Sequence, residues 1–254
     1  MLADKFNLSG KTAFITGSSQ GIGKGLALAF AEYGADIILH CRKDREQTEE
    51  VAKEIQKLGV NTWIIESDLS EPDAIDKVTK EVYQKVKKLD ILVINASAQI
   101  PAIWTEVTEA DFDTQVQTNF KSTFLLMQKF GPEMVKNGWG RILTIGSVQQ
   151  VKPHPAMVIY SAIKSAVLNL VQNIAMQLAD KGVTVNNLAP GVIDTPRIGE
   201  EVPETEERIN KRLETPSGKI GKPEDCAAVA LLLCSEAGNF ITGQNIFVDG
   251  GMSL

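Results

Sequence analysis

Histidine and cysteine are scarce in this sequence. Two histidines, His40 and His154, and three cysteines, Cys41, Cys226 and Cys234, are all that 254 residues hold. No CxxC spacing occurs, so no metal site built on His and Cys is expected. An odd cysteine count with no disulfide framework suits a reducing cytoplasm. No apolar run approaches 18 residues, and the opening "MLADKFNLSGK" has no apolar h-region. Neither a membrane span nor a signal peptide is expected. Positive charge is not in excess. The formal net charge is −6, which argues against non-specific nucleic-acid binding. Linkers, internal repeats and low-complexity segments are missing too. What remains is 43% hydrophobic and 23% charged, the balance of an ordinary globular chain. At this length one α/β unit can bury a core without disulfides or metal.

Apolar strand-like runs alternate with helical periodicity from the start. Strands are predicted at 11–16 ("KTAFIT"), 36–41, 61–67, 90–96, 140–147 and 183–190, with a last short one in "QNIFVDGG". Helices are predicted at 21–34, ending on Gly34 as a natural C-cap, and at 44–58. "EPDAIDKVTKEVYQKVKK" reads as an amphipathic helix, acidic at its start and basic at its end, which suits the helix dipole. Long helices follow over 108–135 and 157–180, then "KPEDCAAVALLLCSEA" with Pro223 at its start. Continuous apolar strands between helices imply a parallel sheet covered on both faces. The expected fold is α/β: a single doubly wound domain over 1–254 with seven strands. The least regular stretch is 194–220, charged, with Pro and Gly at both ends. It reads either as a solvated helical excursion or as a lid over a ligand cleft.

"TGSSQGIG" (16–23) joins the first strand to the first helix. Gly17 permits a tight turn, Gly21 lets backbone approach a pyrophosphate, and Gly23 lets the helix pack near the sheet. The helix N-terminus offers N–H groups and a positive dipole end to phosphates. The spacing is Gly-x-x-x-Gly-x-Gly, so the trio alone is also compatible with packing. Further on, Tyr160 and Lys164 stand four apart, on one face of a helix. A tyrosine near pKa 10 is a poor base at neutral pH. A nearby ammonium, and the positive ring of an oxidised nicotinamide, would favour the phenolate. Bringing that pKa near neutrality takes roughly 3 units, on the order of 4 kcal/mol. A Tyr-x-x-x-Lys taken singly is as easily surface pattern. Ser147, at the end of the fifth predicted strand, falls at the sheet edge where ligands of such folds bind. Its hydroxyl can bond a carbonyl or alcohol oxygen.

These motifs occur in one order: "TGSSQGIG", a later "NAS", a serine thirteen residues before "YSAIK", then "APG" and a terminal "VDGG". The chain resembles the short-chain dehydrogenase/reductase family over about residues 7 to 251. The resemblance implies an oxidoreductase interconverting a secondary alcohol and a ketone. It assigns Tyr160 as proton donor or acceptor, with Lys164 to lower its pKa and hold the cofactor ribose. Ser147 would orient the substrate oxygen, and Asn119 would hold a water in a proton relay. Around the cofactor it implies Ser19, Gln20 and Ile22 in the glycine loop, and Asp68 and Leu69 at the adenine. It further implies Asn95 and Ala96, with Ser97 in place of a family glycine, and Pro190, Gly191, Ile193 and Thr195 beside the nicotinamide.

At the tip of the second strand an acidic residue binds the 2′-OH of NAD, and a basic one suits the 2′-phosphate of NADP. Where NAD-using relatives carry Asp this chain has Cys41, followed by Arg42 and Lys43. NADP(H) is therefore favoured and NAD(H) stays open, with Gln20 standing where many NADP-using relatives are basic. For the substrate, Gln149, His154, Met157 and Trp104 are candidate pocket residues. Polar Gln149 and His154 suit a small sugar, polyol or sugar acid, and a 3-oxoacyl thioester is the alternative. A nucleotide-binding sensor without catalysis is the alternative of another class. The resemblance also implies a homotetramer, built on the two long helices and the last strand.

Overall fold

The computed structural model describes residues 1–199, 203 and 214–254. Seven strands are present, β1 (Thr12–Ile15), β2 (Asp36–Cys41), β3 (Thr62–Glu66), β4 (Ile91–Ile94), β5 (Gly140–Ile145), β6 (Val183–Pro190) and β7 (Asn245–Val248). They form one sheet in the order β3-β2-β1-β4-β5-β6-β7. Every pairing is parallel; Ala13 lies opposite Ile37 on one side of β1 and opposite Ile91 on the other. Parallel strands need crossovers, supplied by α1 (Gly21–Glu32), α2 (Arg45–Gln56), α3 (Ala74–Lys85), α4 (Glu109–Val116), α5 (Ser122–Lys136), α6 (Val158–Leu178) and α7 (Pro223–Cys234).

Alternate side chains of a strand point to opposite faces, and the core divides accordingly. Ala13 and Ile15 of β1 and Ile37 and Leu39 of β2 pack against Phe30 of α1, Ile55 of α2 and Leu233 of α7. Phe14 and Ile38 turn the other way, onto Val82 of α3, Phe130 of α5 and Val171 of α6. Both faces being covered is why these strands read as unbroken apolar runs. The strand order reverses between β1 and β4, and the carboxyl ends flanking that reversal open a crevice, the usual ligand position in such sheets.

Two local expectations need correction. The helix predicted over 108–135 is not continuous. A π-helical turn, Gln117–Lys121, separates α4 from α5, and Asn119 sits in it. One wide turn re-aims the residues around it without ending the helix, and no hydrophobic periodicity marks it. β5 stops at Ile145, so Ser147 is not a strand residue. It caps a 3₁₀ turn, Val148–Gln150, accepting from the Gln149 N–H at 3.2 Å. The helical stretch Val158–Lys181 is long and apolar enough to cross a membrane by composition, with mean hydropathy 1.2. It packs along β6 and contributes Val167, Val171 and Ala175 to the core of this sheet. Residues 200–202 and 204–213 of the 194–220 excursion, among them Arg208, Lys211 and Arg212, lie outside the described residues.

Candidate active site

The loop between β1 and α1 is shaped by buried hydrogen bonds. Gly17 has φ +64°, and a Cβ there would stand 2.9 Å from the Ala96 Cα. Only glycine tolerates both. Asn95, just past β4, donates from Nδ2 to the carbonyls of Thr16 (2.9 Å) and Gly17 (2.8 Å). The Thr16 hydroxyl accepts in return from the backbone of Asn95 (2.9 Å) and Ala96 (3.0 Å). A Cβ on Gly23 would collide with the Gly17 carbonyl, so Gly23 serves the packing of α1.

His40, near the end of β2, is 2% exposed. Its Nδ1 accepts from the Gly17 N–H at 3.1 Å. That leaves the ring proton on Nε2, which donates to the Ser67 carbonyl at 3.0 Å. Ser18 closes the bridge: its Oγ accepts from the His40 N–H and donates to the Ile15 carbonyl, both at 2.9 Å. One imidazole on β2 thus ties together the loops after β1 and β3. Burial pushes its pKa down to about 4, so it is neutral at ordinary pH. Sequence reading counted His40 only as a missing metal ligand. No local pattern reports which loop a strand-end histidine will face.

Beyond β2 and β3, Arg42, Asp44, Asp68 and Leu69 border the crevice. Burial pushes the Asp68 carboxyl up. Hydrogen bonds from Ser70 and the charges of Arg42 and Lys43 outweigh it and hold the pKa below its ordinary value.

On α6, Tyr160 and Lys164 lie one turn apart and both are buried. The Lys164 Nζ stands 5.3 Å from the centre of the Tyr160 ring and donates to the Ile145 carbonyl at 2.6 Å. Burial lowers the Lys164 pKa to about 7, helped by the charge of Arg197. The Tyr160 phenol lies above its ordinary pKa. Burial raises it, and the opposing pull comes from Arg197 and from hydrogen bonding with Ser147. Sequence spacing reveals a nearby ammonium but not how dry its surroundings are. Asn119 is tied to the loop after β4, its Nδ2 donating to the Ala98 carbonyl (2.7 Å) and its Oδ1 accepting from the Ala98 N–H (2.9 Å).

These elements enclose a cavity of about 770 Å³, within the usual range for ligand sites. Every residue expected at the cofactor or in catalysis lines it except Gly23 and Asn119. Gln149, His154 and Met157 line it as well. The Gln149 amide is engaged with protein at both ends, accepting from Ser161 Oγ (2.7 Å) and donating to Met157 Sδ (3.0 Å). His154 is half-buried, and its Nδ1 accepts from the Ala156 N–H at 3.2 Å. Trp104 is outside the lining and 73% exposed, so it is neither core nor pocket. Arg197, one of the charges of the 194–220 excursion, also lines the cavity.

The cradle fits an extended dinucleotide. Gly21 has φ +55°, and a Cβ there would meet Thr195 Cγ2 at 3.1 Å, narrowing the cleft between two lining segments. The N-terminus of α1 faces that gap.

The family described as enoyl-(acyl carrier protein) reductase matches residues 17–253. The 3-oxoacyl-[acyl-carrier-protein] reductase FabG of Aquifex aeolicus (strain VF5) is 34% identical over 249 residues, 98% of this chain and 99% of that protein. A crystal structure of a 3-oxoacyl (acyl-carrier-protein) reductase from Agrobacterium tumefaciens C58 with NADP bound superposes with TM-score 0.90. It is 37% identical and covers 99% of this chain and 97% of that one. A 7 alpha-hydroxysteroid dehydrogenase complexed with NADH and 7-oxo glycochenodeoxycholic acid gives TM-score 0.90 at 36% identity, over 98% of this chain and 96% of the other. The similarity runs almost end to end and includes nucleotide-bound relatives. With the cavity and its Tyr–Lys pair in the same place as the motifs, the chain belongs to the short-chain dehydrogenase/reductase family, oxidoreductases acting on CH–OH and ketone groups with a nicotinamide cofactor.

Proposed function

We propose that this protein interconverts a secondary alcohol and a ketone on a small sugar, polyol or sugar acid, with NADP(H) as the favoured nucleotide. The observation that carries the reading is the convergence of Ser147, Tyr160 and Lys164 with the glycine loop in one cavity. When bound, the nicotinamide dinucleotide donates or accepts the hydride. The chain supplies the rest. The α1 N-terminus and the loop around Gly17 and Gly21 face phosphates. Arg42 suits a 2′-phosphate, because a guanidinium matches phosphate geometry. In reduction, Ser147 hydrogen-bonds the substrate oxygen and Tyr160 gives it a proton; in oxidation Tyr160 takes that proton. Lys164, with a pKa of about 7, can exchange protons at neutral pH, which is where a proton-transfer group is most useful. Burial around Tyr160 limits water at the reacting oxygen.

Polar His154 and Gln99, which line the cavity, support a hydroxylated substrate. A second reading, reduction of a 3-oxoacyl thioester, is favoured by the names of the relatives from Aquifex and Agrobacterium. The described part of the 194–220 excursion bears on the substrate too: Thr195, Pro196, Arg197 and Ile198 line the cavity, consistent with a cover over it. A homotetramer and a cytoplasmic location belong to the same proposal. Exposed Phe112 of α4, Phe124 of α5 and Met176 of α6 support the former, and three free, buried cysteines suit the latter.

The test is NADPH-coupled turnover on panels of sugars, polyols, sugar acids and 3-oxoacyl thioesters, with wild type and Tyr160→Phe. Turnover by wild type and its loss in the variant support the enzyme reading. Binding of NADPH with no turnover on any panel would favour a nucleotide sensor.

A further inference from the structure

The chain carries a net charge of −6, yet among the described residues its cavity is lined by four cationic side chains, Arg42, Lys152, Lys164 and Arg197, against two carboxylates, Asp44 and Asp68. The carboxylates and Arg42 share the nucleotide end, after β2 and β3. Lys152, Lys164 and Arg197 share the other end, after β5 and β6 and on α6. Among the described residues no lining carboxylate offsets them there.

Two of these cations are turned onto the protein. Lys164 Nζ donates to the Ile145 carbonyl, and Lys152 Nζ to the Leu254 carbonyl. Arg197 differs. It stands in the short turn Pro196–Gly199 after β6 and reaches the loop after β4, where Nη1 donates to Ser97 Oγ (3.0 Å) and Nη2 to the Ser97 carbonyl (3.1 Å). β5 lies between β4 and β6, and Ser147 follows β5. Arg197 therefore bridges the loops on either side of the one that carries Ser147, and both side chains line the cavity. Guanidinium carries five N–H donors in a rigid fork; Ser97 engages one on each terminal nitrogen and fixes the plane of the fork. His154, which also lines the cavity, has its Nδ1 occupied by the Ala156 N–H, so its proton is on Nε2 and adds a donor.

We propose that Arg197 is the specificity-determining residue of this cavity and recognises a carboxylate on the substrate. Hydroxy and oxo acids, sugar acids among them, are then taken in preference to neutral polyols of the same chain length. This deepens the oxidoreductase reading and rests on it. A fork held in the cavity lining suits a bidentate carboxylate, and such charge-assisted bonds are stronger than neutral ones. The charge of Arg197 also reaches Tyr160 and Lys164, so a carboxylate paired with it would relieve the crowding of cations around the reacting oxygen.

The test compares matched probes, aldonic acids of three to six carbons and the alditols of the same length and configuration. Wild type, Arg197→Met and Arg197→Lys are assayed for KM and kcat, and for NADPH affinity by fluorescence titration. Where turnover is too slow, calorimetric binding of the same probes to the protein–NADP complex is read instead. Wild type is expected to prefer acids. Arg197→Met should raise KM for acids by about 10- to 100-fold, the equivalent of one charged hydrogen-bonded contact. It should raise KM for alditols far less and leave NADPH affinity unchanged, and Arg197→Lys should recover part of the loss. Three results would overturn the proposal: equal losses on acids and alditols, weaker NADPH binding in Arg197→Met, or no acid bound or turned over by wild type. The middle result would place Arg197 on the nucleotide phosphates. Failure of the oxidoreductase reading itself looks different, because wild type would then bind no nicotinamide nucleotide or turn over no substrate on any panel.

Discussion

The loops after β1, β2 and β3 and the loops after β4, β5 and β6 line the same cavity by different means. In the first set the shaping groups are tied to one another, and His40 and Ser18 are buried. His40 binds Gly17 and Ser67, Ser18 binds His40 and Ile15, and Asp68 is held by Ser70. Backbone around Gly17 lines the cavity there, His40 and Ser18 fix it, and Arg42 and Asp68 border it. In the second set, buried Ser147 and Tyr160 form the floor, but the rim is made of side chains on exposed or half-buried loops, Arg197 and His154. The glycine loop is set by buried ties to its backbone. The Arg197 and His154 rim is made of side chains that can change without disturbing the sheet.

The largest expected effect separates the two sets. Tyr160→Phe should lower kcat by about 10²- to 10⁴-fold, the usual contribution of a general acid or base, with NADPH affinity kept. Steady-state rates and fluorescence titration read both. A fall in affinity of the same size would mean that Tyr160 belongs to the nucleotide set.

Stability against pH sharpens the comparison next. His40 has a folded pKa of about 4, below its ordinary 6.5. Its contribution is complete above pH 6.5 and is lost as pH falls towards 4, because the unfolded chain takes the proton first. The total is about 3 kcal/mol from 1.36 kcal/mol per unit. Lys164 is lowered to about 7 from 10.5, so it adds a separate rise in stability between those two values. Urea denaturation across pH should show two windows. His40→Asn should flatten the lower one and Lys164→Met the upper one. A variant that flattened the other set's window would break the division.

Within the nucleotide set, Arg42→Ala should weaken NADPH by about tenfold, one charge-assisted contact, and leave NADH affinity unchanged. Equal losses for both nucleotides would remove Arg42 as the selector. The smallest effect is expected at Trp104, exposed and outside the lining. Trp104→Ala should change stability by less than about 0.5 kcal/mol and leave KM unchanged; a larger change in KM would extend the substrate rim to that loop.

The same division decides what was legible in the sequence. All seven strands could be read, because a sheet covered on both faces writes unbroken apolar runs. The glycine loop and the Tyr160–Lys164 pair could be read too, since sequence spacing alone puts them at a helix start and on one helix face. The His40 bridge could not, because its partners Gly17 and Ser67 lie 23 and 27 residues away and meet only through the sheet order. Arg197 and Ser97 are 100 residues apart and meet for the same reason. The π turn at Asn119 left no periodic mark, and the direction of the Tyr160 pKa depends on burial that spacing does not express.

The central claim is that nucleotide binding and proton transfer rest on separable parts of one cavity. Titrating wild type and Tyr160→Phe with NADPH at one salt concentration, beside turnover on the same preparations, tests it most directly. The account predicts the same affinity in both proteins and turnover in wild type alone. Binding lost together with turnover, or no binding by either protein, would contradict it.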